Sequence, residues 1–213
     1  MKTILFDLDG TLIDSTDAIL ESFGVAYETF GHAAPDDKEV KALIGYPLDI
    51  MFATLGVKES EVDSYVMAYK EYYRLISRKK TTLLPLALEA IKEASRGAKL
   101  GVVTTKTARY SQELLEHFGV MDYFEVLIGR ESVQNPKPHP EPILKAMSVM
   151  GALPNSTWMI GDTVLDLISA KEAKIKSVAV LCGYGKKSEL ELHTRHITHN
   201  TLDAVKFILQ LSL

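Results

Sequence analysis

Only one cysteine, Cys182, and one tryptophan, Trp158, occur among the 213 residues. A lone cysteine cannot close an internal disulfide, which excludes a small cross-linked scaffold and suits a reducing compartment. No catalytic context surrounds Cys182, so it reads as a small buried apolar residue. Also missing is any apolar run near the roughly 18 residues that a membrane-spanning helix requires. Acidic Asp7 comes so early that the apolar segment of a signal peptide has no room, and cytoplasmic residence is the expectation. Positive charge is scarce as well: the net charge is −4 and the pI about 5.9. A protein that binds nucleic acid by neutralising phosphates carries a basic face, so no nucleic-acid partner is expected. The basic run Arg78-Lys79-Lys80 reads as a solvated helix end. Repeats and low-complexity segments are lacking, and nothing implies an obligate protein partner.

What remains is an ordinary globular composition, 46% hydrophobic and 24% charged. The length suits one large domain or a core with a smaller insert. Short apolar runs at Lys2–Phe6, Leu100–Thr104, Phe124–Ile128, Thr157–Ile160 and Ser177–Leu181 read as strands covered on both faces. Helical spacing recurs between them, at Leu86–Ser95, Ala108–Phe118, Pro140–Met150 and Val164–Ala173. Strand alternating with helix predicts an α/β fold, a Rossmann-like parallel sheet flanked by helices. Residues 15–80 break the alternation. Helix-compatible pieces at Ser15–Phe30, Asp36–Leu43, Leu48–Leu55 and Glu59–Ser77 follow one another there, separated by glycine-containing breaks. The expected organisation is a core of residues 1–14 and 81–213 with an inserted all-α cap at 15–80.

In open parallel sheets, ligands bind beyond the carboxyl ends of the strands. The first strand runs into Asp7-Leu8-Asp9-Gly10-Thr11. Side chains two apart on extended chain point the same way, so both carboxylates can face one site. A surface turn or a calcium loop would use similar residues, but a calcium-binding EF-hand counted from Asp7 needs Glu where Ala18 stands. The second strand ends at Thr104-Thr105-Lys106, a hydroxyl and amides able to hold a phosphate oxygen, or simply a helix cap. Lys137 sits within Asn135-Pro-Lys-Pro-His-Pro140, a run stiff enough to present an ammonium, or a stiff surface turn. A later strand ends at Gly161-Asp162, with Asp166 four residues on, near a helix start where the dipole also favours acid. Each signal has a bland explanation; their conjunction points to one acidic, phosphate-binding site.

These four stretches resemble, in order, the motifs of the haloacid-dehalogenase-like hydrolase superfamily. Asp-Gly-Thr-Leu-Ile-Asp-Ser at 9–15, Ile44-Gly45 with Pro47, and Lys137-Pro-His-Pro-Glu-Pro142 are similar to the phosphoglycolate-phosphatase-like branch with a four-helix cap. Thr104-Thr105-Lys106 is similar to bacterial pyrophosphatases of that branch, where many phosphoglycolate phosphatases have Thr-Asn-Lys. The resemblance implies a Mg2+-dependent phosphatase acting on a small phosphorylated metabolite. Asp7 is then nucleophile and metal ligand, Asp9 general acid and base as well as a ligand through its carbonyl, and Asp162 a further ligand. Asp166 acts from behind the ligands. Thr104 and Lys137 bind phosphoryl oxygens, with the backbone at Leu8 and Thr105 completing the cradle. Asp9 disfavours the dehalogenase branch, whose leaving group needs no proton. Gly45, Tyr46, Lys106 and Arg109 are candidates for substrate selection. The alternatives are an inorganic pyrophosphatase, a sugar phosphomutase and, in another class, a phosphate-receiving signalling module. His193, His196 and His199 lack a fourth metal ligand and read as packed or solvated.

Overall fold

The computed structural model describes residues 1–211. In chain order the elements begin with β1 (Lys2–Phe6) and β2 (Ile13–Asp14), then α1 (Thr16–Thr29), α2 (Asp37–Leu43), α3 (Leu48–Thr54) and α4 (Val62–Lys80). Next come β3 (Thr82–Leu83), α5 (Ala87–Ser95), β4 (Ala98–Val103), α6 (Ala108–His117), β5 (Val126–Ile128) and α7 (Glu141–Met150). The chain closes with β6 (Thr157–Gly161), α8 (Val164–Glu172), β7 (Lys176–Val180), α9 (Lys187–Leu190), β8 (Ile197–Thr198) and α10 (Thr201–Gln210). Two compact units result: Met1–Asp14 with the chain from Leu83 onward, and Ser15–Thr82.

The first unit is α/β. Its six strands run in the order β5-β4-β1-β6-β7-β8, with every pairing parallel. Successive side chains of a strand face opposite ways, so β1 serves two cores. Ile4 and Phe6 join a cluster with Ala90 and Ile91 of α5, Leu114 of α6 and Ile208 of α10. Leu5 faces the other layer, with Ile143 and Met147 of α7 and Ala170 of α8. Full burial of each such side chain stabilises by about 1.5–3 kcal/mol, which explains why the strands are apolar throughout rather than alternating. Lys2 secures the far end of β1: its Nζ donates to the carbonyls of Ile208, Leu209 and Leu211 at 2.8, 3.0 and 2.5 Å, closing the carboxyl end of α10.

From β1 the chain moves outward through β4 to β5, then returns to β6 on the opposite side of β1. The strand order therefore reverses beside β1, and a crevice opens there at the carboxyl ends.

The second unit is all-helical. Tyr65, Tyr69 and Tyr73 line the buried face of α4 at four-residue spacing. Phe23 of α1 lies 4.5 Å from Phe52 of α3 and 5.2 Å from Tyr69, ring centre to ring centre. Tyr72, off that face, donates to Glu21 Oε1 at 2.6 Å.

Several boundaries differ from the sequence reading. The last cap helix starts later and ends later, at Lys80, with Glu59–Glu61 forming a preceding 3-10 turn. Arg78, Lys79 and Lys80 occupy its last turn, where cations suit the helix dipole, and Lys80 pairs with Glu21. Cys182 is half-buried rather than buried; its Sγ lies 3.6 Å from the Gly10 carbonyl oxygen. Trp158 is buried in the core, with Lys176 over its ring. His196 sets its ring against Trp158 and Phe207 but, like His193 and His199, is exposed.

Candidate active site

Asp7 extends β1 by one ladder bond, its N–H donating to Ile160 O at 2.9 Å. The chain then folds back on itself: the Leu8 carbonyl accepts from Thr11, Leu12 and Ile13 at 3.3, 2.9 and 3.0 Å. Asp7, Leu8, Asp9 and Thr11 are all buried, so the Asp-x-Asp-Gly stretch is an interior turn and not a surface one. Gly10 adopts φ +83°, and a Cβ there would overlap the Asp162 carboxylate. Glycine satisfies both the turn and the close approach.

Lys137 comes from the loop before α7. Glu141 accepts from the backbone N–H groups of Gln134 and Asn135 at 2.9 and 3.0 Å, and Ser169 Oγ of α8 donates to His139 O at 2.9 Å. Between those ties the Lys137 side chain runs inward and is 3% exposed. Its Nζ donates to Asp7 Oδ1 at 2.7 Å, to Asp166 Oδ1 at 2.5 Å and to Val103 O at 2.9 Å. All three ammonium protons have acceptors.

Asp162 directly follows β6 and is fully buried. Its Oδ1 accepts from Thr11 Oγ1 at 3.0 Å and its Oδ2 from Tyr184 N at 2.8 Å. Asp166 stands at the third position of α8, where Oδ2 accepts from Thr163 N and Thr163 Oγ1 at 3.0 and 2.7 Å in a capping box. The bland explanation from sequence is therefore true of Asp166 as well, since one carboxylate caps the helix and grips Lys137.

One oxygen each from Asp7, Asp162 and Asp166 lies within 4.8 Å of the others, the metal-competent cluster among the described residues. The sequence reading placed Asp166 behind the ligands and counted Asp9 through its carbonyl; by side chain, it is Asp166 that joins this cluster. Three carboxylates against the single Lys137 ammonium leave two negative charges, matching one divalent cation. An all-oxygen donor set suits a hard cation such as Mg2+ or Ca2+ over one that favours nitrogen or sulfur. The electrostatics agree. Burial pushes the Asp7 carboxyl up to about 7, and the carboxylates of Asp166 and Asp9 add to that despite Lys137. Burial, with Asp7 and Asp166 beside it, also holds Asp162 well above the usual carboxylate range. Burial would lower the Lys137 ammonium, but Asp166 and Asp7 outweigh it and hold it above its ordinary value.

Thr104 follows β4 and is buried, its N–H donating to Ile128 O at 2.9 Å. Its Oγ1 accepts from Lys106 N at 3.1 Å. Thr105 is half-buried in the same loop. Lys106 Nζ reaches Asp9, 3.0 Å from each carboxylate oxygen. Arg109, a candidate for substrate selection, lies on the exposed face of α6 and pairs with Glu113 at 3.0 Å. Gly45 and Tyr46 belong to the helical unit; Gly45 has φ +111° and Tyr46 is exposed.

Sequence reasoning missed Thr11, Thr163 and the Gly183-Tyr184-Gly185 turn as supports of the acidic cluster. The turn could have been found by applying to β7 the same rule about strand ends that exposed the other motifs.

The haloacid dehalogenase-like hydrolase family model matches residues 4–180. The pyrophosphatase PpaX of Halalkalibacterium halodurans is 34% identical over 190 residues, spanning 89% of this chain and 86% of its own. The phosphoglycolate phosphatase of Aquifex aeolicus is 31% identical over 189 residues, spanning 87% of each chain. A haloacid dehalogenase-like hydrolase from Streptococcus pneumoniae superposes with a TM-score of 0.88 at 28% identity, covering 97% of this chain and 98% of its own. With a match running from β1 through β7 and acidic groups meeting where the strand order reverses, this chain belongs to the haloacid dehalogenase-like hydrolase family and is a phosphatase.

Proposed function

We propose that the protein hydrolyses a small phosphorylated metabolite, with Mg2+ bound, through a phosphoryl group carried on Asp7. The observation that supports this best is the buried ion-paired triad: Lys137 bonded to both Asp7 and Asp166, at the carboxyl end of β1. The acidic cluster needs a cation to be stable and a carboxylate at its centre to be useful. Mg2+, held by Asp7, Asp162 and the Asp9 carbonyl, with Asp166 beside them, would offset the repulsion between a carboxylate and an anionic phosphoryl group.

The chain's own residues then divide the work. Asp7 attacks phosphorus, and the bond to the leaving oxygen breaks. Asp9 gives that oxygen a proton and later takes one from the water that releases phosphate. Lys137 holds Asp7 and neutralises a phosphoryl oxygen. Thr104 accepts from Lys106 N–H, so its own hydroxyl proton points elsewhere and serves a second phosphoryl oxygen, with the Leu8 and Thr105 amides beside it. The helical unit is read as a cap that excludes bulk water during turnover. Gly45, Tyr46 and Lys106 remain candidates for selecting the substrate.

The names of its relatives put phosphoglycolate and inorganic pyrophosphate first among substrates to try. Asp7→Asn is expected to keep its far-UV circular dichroism and lose phosphate release by about a thousandfold or more. Normal hydrolysis by that variant removes Asp7 from the reaction. Peptide mapping after an acid quench should find phosphate on Asp7 of the unsubstituted enzyme.

A further inference from the structure

The loop that carries Thr104 is tied down from outside the acidic cluster. Strands β4 and β5 pair as far as Val103 and Ile128, yet bonds of the same kind run on past both strand ends. Thr104 N–H donates to Ile128 O at 2.9 Å, and Arg130 N–H to Lys106 O at 3.0 Å. One more rung follows. Ala108 N–H, at the first position of α6, lies 3.1 and 3.0 Å from the two carboxylate oxygens of Glu131. A helix start ordinarily takes an acceptor from the side chain at its cap. Here that residue is Thr107, which makes no such bond among the described residues, and the acceptor comes from 23 residues away. A carboxylate at that end also suits the helix dipole.

The turn that presents Glu131 is braced in its own right. Gly129 N–H donates to Ser132 Oγ at 3.1 Å, and Ser132 N–H donates back to Gly129 O at 3.0 Å, closing the 3-10 turn Arg130–Ser132. Glycine lets that turn press against α6, since a Cβ on Gly129 would lie 2.4 Å from Ala108 N and 2.6 Å from Ala108 Cα. The loop of residues 104–107 therefore spans two fixed ends, and Glu131 fixes the far one. Glu131 itself is exposed and lies outside the acidic cluster.

We propose that Glu131 is a positioning residue for phosphoryl transfer: by capping α6 from the turn after β5, it holds Thr104 where its hydroxyl meets a phosphoryl oxygen. The inference rests on the reading of Thr104 as a phosphoryl-binding residue, given under the function above. Releasing the cap lets the start of α6 shift and the loop before it follow. A misplacement of about 1 Å, caused from far away, can slow an enzyme by about a hundredfold. The contact matters most as charge spreads over the phosphoryl oxygens during transfer, so the loss belongs to kcat and not to KM.

The test measures kcat and KM with Mg2+ present, on whichever of phosphoglycolate, inorganic pyrophosphate and p-nitrophenyl phosphate is hydrolysed fastest. Glu131→Ala should lower kcat by about tenfold or more and leave KM within about twofold. Orthovanadate, whose five-coordinate form imitates the transition state, should inhibit that variant about tenfold less well. Glu131→Gln keeps an acceptor for Ala108 N–H and should retain most of kcat. Gly129→Ala wedges the start of α6 away instead of releasing it, and should show the same fall in kcat. In a Thr104→Val background, Glu131→Ala should cost less than about twofold more, because the residue it positions is already gone. Unchanged kcat in Glu131→Ala, a loss confined to KM, or a full further loss on top of Thr104→Val would overturn the inference. If Glu131→Ala fails to fold, normal kcat in Gly129→Ala overturns it alike. Normal turnover by Thr104→Val is a separate result: it removes Thr104 from phosphoryl binding and takes the inference with it. Absence of phosphate release from all three compounds counts against the proposed function itself.

Discussion

Asp7 is asked to be both buried and ionised. Its carboxyl keeps a proton up to about pH 7 in the folded, metal-free protein, against 3.8 for the ordinary side chain. Between those values the folded state binds more protons than the unfolded state, so stability falls as pH rises, and the loss is complete above about 7. Asp7→Asn carries no such charge. Without metal at pH 8 the variant should melt on the order of 5 °C above the unsubstituted protein. That gap should close toward pH 5, and adding Mg2+ should raise only the unsubstituted protein at pH 8. Differential scanning calorimetry at the two pH values checks this, and a gap independent of pH would rule out Asp7 as its source. Stability given up at one carboxylate is what the nucleophilic role proposed for a buried Asp7 entails.

The loop from β7 to α9 shows how a whole element, and not one side chain, can hold the Asp162 carboxylate in place. A Cβ on Gly183 would overlap the Asp162 carboxylate and the Gly10 carbonyl, while Tyr184 N–H donates to Asp162 Oδ2. Gly183→Ala must therefore push Asp162 off its position. Mg2+ binding measured by isothermal titration calorimetry should weaken by about tenfold or more, the usual penalty for disturbing groups behind a metal ligand. Far-UV circular dichroism should be unchanged, and unaltered Mg2+ affinity would show that the turn is only a connection. The strand-end rule points to this turn, but its hold on Asp162 was illegible for a physical reason: Gly-Tyr-Gly after a strand signals a turn and says nothing about what the turn touches. The motifs at Asp7, Thr104 and Asp162 were legible because buried parallel strands are apolar throughout, which makes the first polar residue after each one conspicuous, and Lys137 was legible through the prolines that flank it. The strands β2, β3 and β8 have two residues each, too few for any periodicity, and arise only through partners brought up by the rest of the fold. Helix α10, with Ala204, Val205 and Ile208 buried, has a readable apolar face that the alternation of strands and helices overshadowed. The Lys106–Asp9 pair joins residues 97 apart, and no local pattern announces it.

At the scale of the molecule, the chain crosses between its two units only twice, after Asp14 and before Leu83. Each unit has a core of its own. The α/β unit buries apolar side chains on both faces of its sheet, whereas the helical unit is built around a cluster of rings. Phe52, fully buried, contacts Phe23, Tyr65 and Tyr69, with ring centres 4.5, 5.6 and 6.2 Å away. Truncating such a residue to alanine costs about 3–5 kcal/mol through lost burial and the cavity left behind. With separate cores and two crossings, that loss should fall on one cooperative block and leave the other. Native-state hydrogen exchange of Phe52→Ala should therefore show protection lost in α1, α3 and α4 and retained in β1, β4 and β6. A uniform loss across the sheet would mean that the units fold as one. Independence of this kind lets the helical unit vary without disturbing Lys137, Asp7 and Asp166, which are held entirely by the α/β unit.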